Sequence, residues 1–289
     1  MLFFKLLSLL PLWILYGISD FAYFILFRVL KYRKKVVIEN LKNSFPEKTE
    51  IEIQQIAKAF YHNLADIFIE FFKGMSMSER EINKRIEIGN LEAITEYINQ
   101  GTPVIIVGGH QGNWELVIHV LSLHGIKMDI VYQPLSNAFF EKLTYKIRTR
   151  FGAFVIPKND SIKLTFERKN IPRALCLAAD QIPHHWKSAY WTNFLNQDSA
   201  FFTGTEKIAR KFHYPVVFLG LEKSHRGYYK YTFEKIAEAP YEHLASGEIL
   251  ERFIQRLEKS VQKNPSCYLW SHRRWKHKRS ENDIIKTHL

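Results

Sequence analysis

Apolar positions along this chain follow three regimes. The first is continuous: residues 2–30, LFFKLLSLLPLWILYGISDFAYFILFRVL, are nearly all apolar. A run of that length exceeds the ~20 residues that cross a bilayer as a helix. The second is periodic at helical spacing. VVIENLKNSFPEKTEIEIQQIAKAFYHNLADIFIEFFKG reads as two helices parted at Phe45-Pro46, the second opened by a capping box of Thr49 and Glu52. Its apolar residues Ile53, Ile56, Phe60, Leu64, Ile67 and Phe71 form a single stripe, which by default packs into a core. The third regime alternates short apolar runs with amphipathic segments. PVIIVGG, KMDIVYQPL, AFVIPK, ALCLAADQ, PVVFLGLEK and YYKYTFEKI read as strands. NLEAITEYINQ, NWELVIHVLSLHG, FFEKLTYKIRTRFG, TEKIARKFH and LERFIQRLEKSVQKNP read as helices. With no repeats and no long linkers, residues 31–289 are expected to form one α/β domain with a mixed central sheet flanked by helices, and residues 1–30 a membrane-anchoring helix.

The flanks of the apolar run set an expected orientation. RVLKYRKK carries Arg28, Lys31, Arg33, Lys34 and Lys35, whereas only Lys5 stands near the start. That asymmetry puts the body of the protein on the cytoplasmic face of a membrane. Asp20 argues against a plain crossing, because a carboxylate at the bilayer centre costs roughly 2.5–3.5 kcal/mol on insertion scales. An interfacial anchor therefore competes with a span. GIS at 17–19 is a weak cleavage signal, and the apolar run continues past it.

Composition narrows the partners. The 289 residues hold 41 Lys+Arg against 29 Asp+Glu, a net charge of +12, which favours an anionic partner. No nucleic-acid motif accompanies the charge, so a membrane, a lipid or an acidic carrier is the expected partner. Cys176 and Cys267 show no metal spacing and are read as free thiols. His184-His185 lack a third ligand at recognisable spacing, so neither metal nor cofactor is expected.

Candidate chemistry gathers at GGHQGNWEL. Here a buried-looking strand stops on two glycines, presents His110, and starts a helix with Asn113 as its cap. His110 and Glu115 would stand about 140° apart on a continuous helix. With His110 on the loop and Glu115 on the first turn, the carboxylate can reach back to a ring nitrogen and orient a general base. Such a pair, without a nucleophile of its own, can deprotonate a substrate alcohol or amine that then attacks an activated acyl donor. The N–H groups near Gly112 and Asn113 are candidates for the oxyanion. The bland alternative is a core or capping histidine. Asp180 and Gln181 end a strand, where they either line the same cleft or cap the turn before Pro183. Arg148 and Arg150 either clamp a phosphate or face solvent. In WSHRRWKHKR, cations alternate with Trp270 and Trp275, a pattern suited to membrane headgroups or to a solvated tail.

GGHQGNWE, KIRTRFG, ADQ, TGTEKIARKFHYPVVF and PSCYLWSHRRWK, in that order, resemble the bacterial lipid A biosynthesis acyltransferase family, which is related to acyltransferases of phosphatidylinositol mannosides. The resemblance spans most of the chain. It implies a glycerolipid-acyltransferase-like fold and an HxxxxD/E pair in which His110 is the base and Glu115 its partner. It further implies a conserved aspartate at Asp180 and a functional arginine in the region of Arg148 and Arg150. The donor would be an acyl carrier protein or coenzyme A thioester, the acceptor a lipid A precursor, and the location the inner membrane. NFLNQDSAFF replaces the family's usual FFG segment before the TG block. Another lipid acceptor is the near alternative, and a non-enzymatic basic binding protein the distant one.

Overall fold

A computed structural model describes residues 2–183, 186 and 189–279. The apolar runs become strands β1 (Ile86–Gly89), β2 (Val104–Gly108), β3 (Met128–Tyr132), β4 (Phe154–Pro157), β5 (Ala174–Ala178), β8 (Val216–His225) and β9 (Tyr228–Ala237). They share one sheet in the order β1-β9-β8-β2-β5-β3-β4. Pairing is parallel except between β8 and β9, which form a long antiparallel hairpin. The sheet is therefore mixed and mostly parallel, as the alternating pattern predicts.

β2 reads VIIVG and is buried at every position. A strand covered on both faces needs no polar alternation. Its residues divide by parity: Ile105 and Val107 join one apolar layer, Val104 and Ile106 the other. One layer is covered by α10 (Gly204–Phe212) and α11 (Glu248–Lys263). The other is covered by α6 (Glu92–Asn99) and α7 (Leu116–Leu123). α8 (Ala138–Arg148) and α9 (Ser161–Glu167) lead to and from the edge strand β4.

Ahead of the sheet lie α3 (Lys34–Ser44), α4 (Glu50–Lys73) and α5 (Glu79–Arg85). α4 carries the expected capping box, with Thr49 Oγ1 accepting from Glu52 N and Glu52 accepting from Thr49 N. Its apolar stripe has two destinations. Ile53 and Phe60 are core, whereas Leu64, Ile67 and Phe71 line a cavity. β1, α5 and α9 are short elements that the pattern leaves out. So is a hairpin of β6 (Tyr190–Phe194) and β7 (Gln197–Phe201). Its turn, Leu195-Asn196, has φ of 52° and 61°. Such turns usually announce themselves with Asn-Gly, and Leu gives no such signal.

The N-terminal run forms α1 (Leu2–Leu9) and α2 (Leu12–Phe24), parted by Pro11. Leu12–Val29 is long and apolar enough to cross a membrane. Both helices lie along α4, and polar groups pin them there. Tyr16 donates to Glu70 at 2.8 Å, Ser19 to Asp66 at 2.8 Å, and Lys73 to the carbonyl oxygens of Ser8 and Leu10 at 3.1 Å. Asp20 is held by Arg226 of the β8–β9 turn at 2.6 Å, so it is paired with the protein's own cation. The opposite face is bare: Leu2, Phe3, Leu6, Leu9, Trp13 and Phe21 are 57–76% exposed.

Candidate active site

Strand register brings the ionisable groups together. β2 and β5 are parallel neighbours, with Gly108 opposite Ala178. His110 and Asp180 each follow two residues later, at the carboxyl ends of adjacent strands, where open α/β sheets place their sites. Asp180 takes two hydrogen bonds from His110: the backbone N–H at 2.9 Å and ring Nδ1 at 2.6 Å. A carboxylate can only accept, so Nδ1 carries the proton and Nε2 is left basic. Gln181 Nε2 lies 3.4 Å from that second nitrogen.

Electrostatics reinforce the pair. Burial pushes the imidazole pKa down, but the Asp180 charge and hydrogen bond, with help from Glu115, outweigh it and hold His110 above its ordinary value. Burial likewise pushes Asp180 up. His110, with its two hydrogen bonds, and the nearby Arg274 guanidinium bring it below the usual carboxylate range.

Glu115 has a different partner from the one expected. Arg148 grips its carboxylate through two bonds, Nε to Oε2 at 2.8 Å and Nη2 to Oε1 at 2.5 Å, and Trp114 Nε1 adds a third at 3.1 Å. Arg148 holds the Glu115 carboxyl below its ordinary range in spite of burial. Asp180 holds ring Nδ1, and among the described residues no hydrogen bond joins Glu115 to either ring nitrogen of His110. Arg150 is also spent internally, donating to the carbonyl oxygens of Gly74 and Met77 at 2.6 and 2.7 Å. Neither arginine stands as an unengaged phosphate clamp.

The loop that carries His110 is built from both sides. Asn113 Oδ1 accepts from the amides of Glu115 and Leu116 at 3.1 and 3.2 Å, so Asn113 caps the helix start from a buried position. The segment after α11 straps the loop in place. Leu269 N donates to His110 O at 3.1 Å, and Gly112 N to Cys267 O at 2.9 Å. Gly112 thus spends its N–H on the strap, and neither Gly112 nor Asn113 lines the cavity. The expected oxyanion role for the Gly112 amide gives way to this structural bond. The close approach that the glycines permit is internal as well. A Cβ on Gly112, where φ is +45°, would stand 2.1 Å from Leu221 Cδ2, and one on Gly109 2.6 Å from Leu257 Cδ1.

His110, Glu115, Arg148 and Gln181 line a cavity of about 1090 Å³. Much of its remaining wall is apolar and comes from α4, α7, β3 and β5, including Ile67, Phe71, Val117 and Ile130. Arg33, Lys158 and Lys276 also line it, none with a carboxylate partner among the described residues. A space of this size exceeds the ~300–1,000 Å³ of ordinary small-molecule pockets. An apolar wall with a tuned imidazole at its edge suits chemistry on a long hydrocarbon substrate.

The description of the family model that matches residues 1–277 is bacterial lipid A biosynthesis acyltransferase. The chain belongs to that family. It is 22% identical over 249 residues to the lipid A biosynthesis palmitoleoyltransferase of Escherichia coli (strain K12), covering 86% of this chain and 80% of the relative. To the lauroyltransferase of the same organism it is 24% identical over 252 residues, 86% and 81% of the two chains. A lipid A biosynthesis acyltransferase of Haemophilus influenzae is 22% identical over 250 residues, 86% and 79% of the two chains. The protein is thus an acyltransferase.

One other expectation about this acyltransferase changes. Trp270, read as suited to membrane headgroups or to a solvated tail, is fully buried. Its indole N–H donates to Pro265 O at 2.6 Å, and its ring meets Phe45 and Tyr268. Trp275 donates to Ser199 at 2.7 Å, and Arg274 is buried over the Phe201 ring at 4.3 Å. Asn40 pins this stretch by donating to the carbonyl oxygens of Trp270 and His272. For the two tryptophans, apolar surface and satisfied indole N–H groups outweigh the charge pattern. Cys176 and Cys267 are free, as expected, and His184-His185 lie outside the described residues. Sequence reasoning missed Glu70, a buried carboxylate of α4 that contacts Asn113. Nothing in a stripe of apolar residues marks one acid on its edge as buried.

Proposed function

We propose that this acyltransferase moves a fatty acyl chain from a thioester of acyl carrier protein or coenzyme A to a hydroxyl of a lipid A precursor. The observation that carries the reading is the imidazole itself: one nitrogen is held by a buried carboxylate, and the ring sits at the wall of a large apolar cavity. Nε2 of His110 takes the proton from the acceptor hydroxyl as its oxygen attacks the thioester carbonyl. The C–S bond then breaks, and the thiolate leaves with the proton returned by His110. Asp180 is the residue that orients the ring. Glu115 adds negative charge that favours the imidazolium, and Arg148, on the cavity wall, offers positive charge to the developing oxyanion. Arg33, Lys158 and Lys276 favour an anionic donor or acceptor.

The bare face of α1 and α2 supports an interfacial seat at the inner membrane, on the cytoplasmic side, with the polar face of the helices kept on the protein. Mass spectrometry of lipids from a host lacking the gene, beside one carrying it, tests the acceptor. One added acyl mass on lipid A is expected. The same mass on another glycolipid or phospholipid would replace the acceptor and keep the chemistry. His110→Ala should lower turnover by roughly 10²–10⁴-fold with folding intact. Full activity in that variant would remove His110 from the reaction.

A further inference from the structure

Glu70 lies on α4 and is 1% exposed. Three donors converge on it from three parts of the chain. Tyr16 of α2 donates to Oε1 at 2.8 Å. Asn113 Nδ2 of the site loop donates to Oε2 at 2.7 Å. Tyr229 of β9 donates to the same oxygen at 2.6 Å. Asn113 is fixed on its other sides too, with Tyr231 donating to its carbonyl oxygen at 2.6 Å.

The direction of Asn113 matters because its amide is asymmetric. Nδ2 must face Glu70 for Oδ1 to face the Glu115 and Leu116 amides. Burial pushes the Glu70 pKa up, and the three converging donors work against that and hold it as an acceptor, the form that enforces the orientation. The amide in turn fixes the first turn of α7, and hence where Glu115 presents its carboxylate to Arg148 and to the field around His110. Tyr16 reaches the same carboxylate from the apolar N-terminal helix. The site loop and the apolar N-terminal helix therefore share one buried acceptor.

We infer that Glu70 is a positioning residue of the catalytic turn, and that through Tyr16 it makes the seating of the N-terminal helix part of the site's alignment. The inference rests on the acyltransferase reading of His110. It assigns the N-terminal helix a second duty besides holding the protein at a membrane.

The test uses the full-length protein in detergent micelles and two readouts. The first is hydrogen–deuterium exchange of the peptide spanning Glu115 and Leu116, which needs no substrate. Glu70→Gln should speed exchange of those amides roughly tenfold, as expected for losing a hydrogen bond to a charged group, while β2 and β5 stay protected. Tyr16→Phe should speed it less, in the same peptide. The second readout is turnover with lauroyl-acyl carrier protein and a purified lipid A precursor. A positioning role lowers kcat about tenfold in Glu70→Gln with KM little changed.

A polarity swap makes the test specific. Glu70→Gln combined with Asn113→Asp lets the new amide donate to the new carboxylate, whose other oxygen still accepts the two helix amides. The pair should recover slow exchange and most of kcat, although Asn113→Asp alone, with two facing carboxylates, should not. Unchanged exchange in Glu70→Gln, or a swap no better than its single changes, would overturn the positioning role. Tyr16→Phe indistinguishable from the unmodified protein would overturn the link to the helix. An active His110→Ala control would sink the reading of the site instead, and the exchange data would still judge Glu70.

Discussion

His110 answers to two carboxylates of different kinds. Asp180, 70 residues away in sequence, binds the ring directly, whereas Glu115 acts on it only through space. The sign of the consequence follows. A raised pKa keeps the imidazole protonated, and idle as a base, to a higher pH than an ordinary histidine. Activity should therefore rise with pH through a value above the ordinary one. Asp180→Asn removes the charge that stabilises imidazolium, so the acid limb of kcat/KM should move to lower pH. At the plateau kcat should fall by roughly 10²–10⁴-fold, because the ring loses its fixed tautomer. A pH–rate series on both proteins checks this, and an unmoved acid limb would assign the titration to another group. Arg148→Ala leaves the buried Glu115 carboxylate unpaired. It should destabilise the protein by about 3–5 kcal/mol, read by urea unfolding.

At the scale of elements, much of the chain announces itself. The Thr49/Glu52 box starts α4, the unbroken VIIVG run marks a doubly covered strand, and Gly125 ends α7 with φ of +79°. What the sequence conceals is neighbourhood. β5 inserts between β2 and β3, which are consecutive in sequence. That insertion, invisible in any local pattern, is what sets Asp180 beside His110. The near carboxylate, Glu115, looks like the partner because spacing along the chain is all a reader has. Gly112 shows the reverse case, a residue whose type was legible and whose reason was not. Gly112→Ala would strain a positive φ and drive a methyl into Leu221. We expect a loss of roughly 2–5 kcal/mol, the sum of a left-handed penalty and overpacking. Thermal and urea unfolding would reveal it, and a stability equal to the parent would mean the β8–β9 hairpin yields freely.

For the molecule as a whole, charge and hydropathy favour an anionic, amphiphilic partner but do not mark the face that would meet it. The apolar run looks like a span by composition, yet one side of it is written in polar residues that match α4 and the β8–β9 turn. Ser19, Asp20 and Tyr16 become intelligible only when Asp66, Arg226 and Glu70 are seen opposite. Replacing Leu6, Trp13 and Phe21 together by serine should leave that polar side intact. Burying a large apolar side chain contributes about 1.5–3 kcal/mol, so the triple change should release the protein from sedimenting phospholipid vesicles with its circular dichroism spectrum unchanged. Retention on vesicles would point to a different surface, such as the exposed rings of Phe139 and Phe140.

The strap from Cys267 to Leu269 carries a consequence for how the enzyme is born. His110 and the strands that carry its neighbours leave the ribosome long before the backbone that clamps their loop. Synthesis runs from the N-terminus, so a chain interrupted late in translation would own every reactive group and still lack their alignment. Alignment of the loop waits for residues 267–269, and a chain ended before them should fold its sheet yet show no acyl transfer.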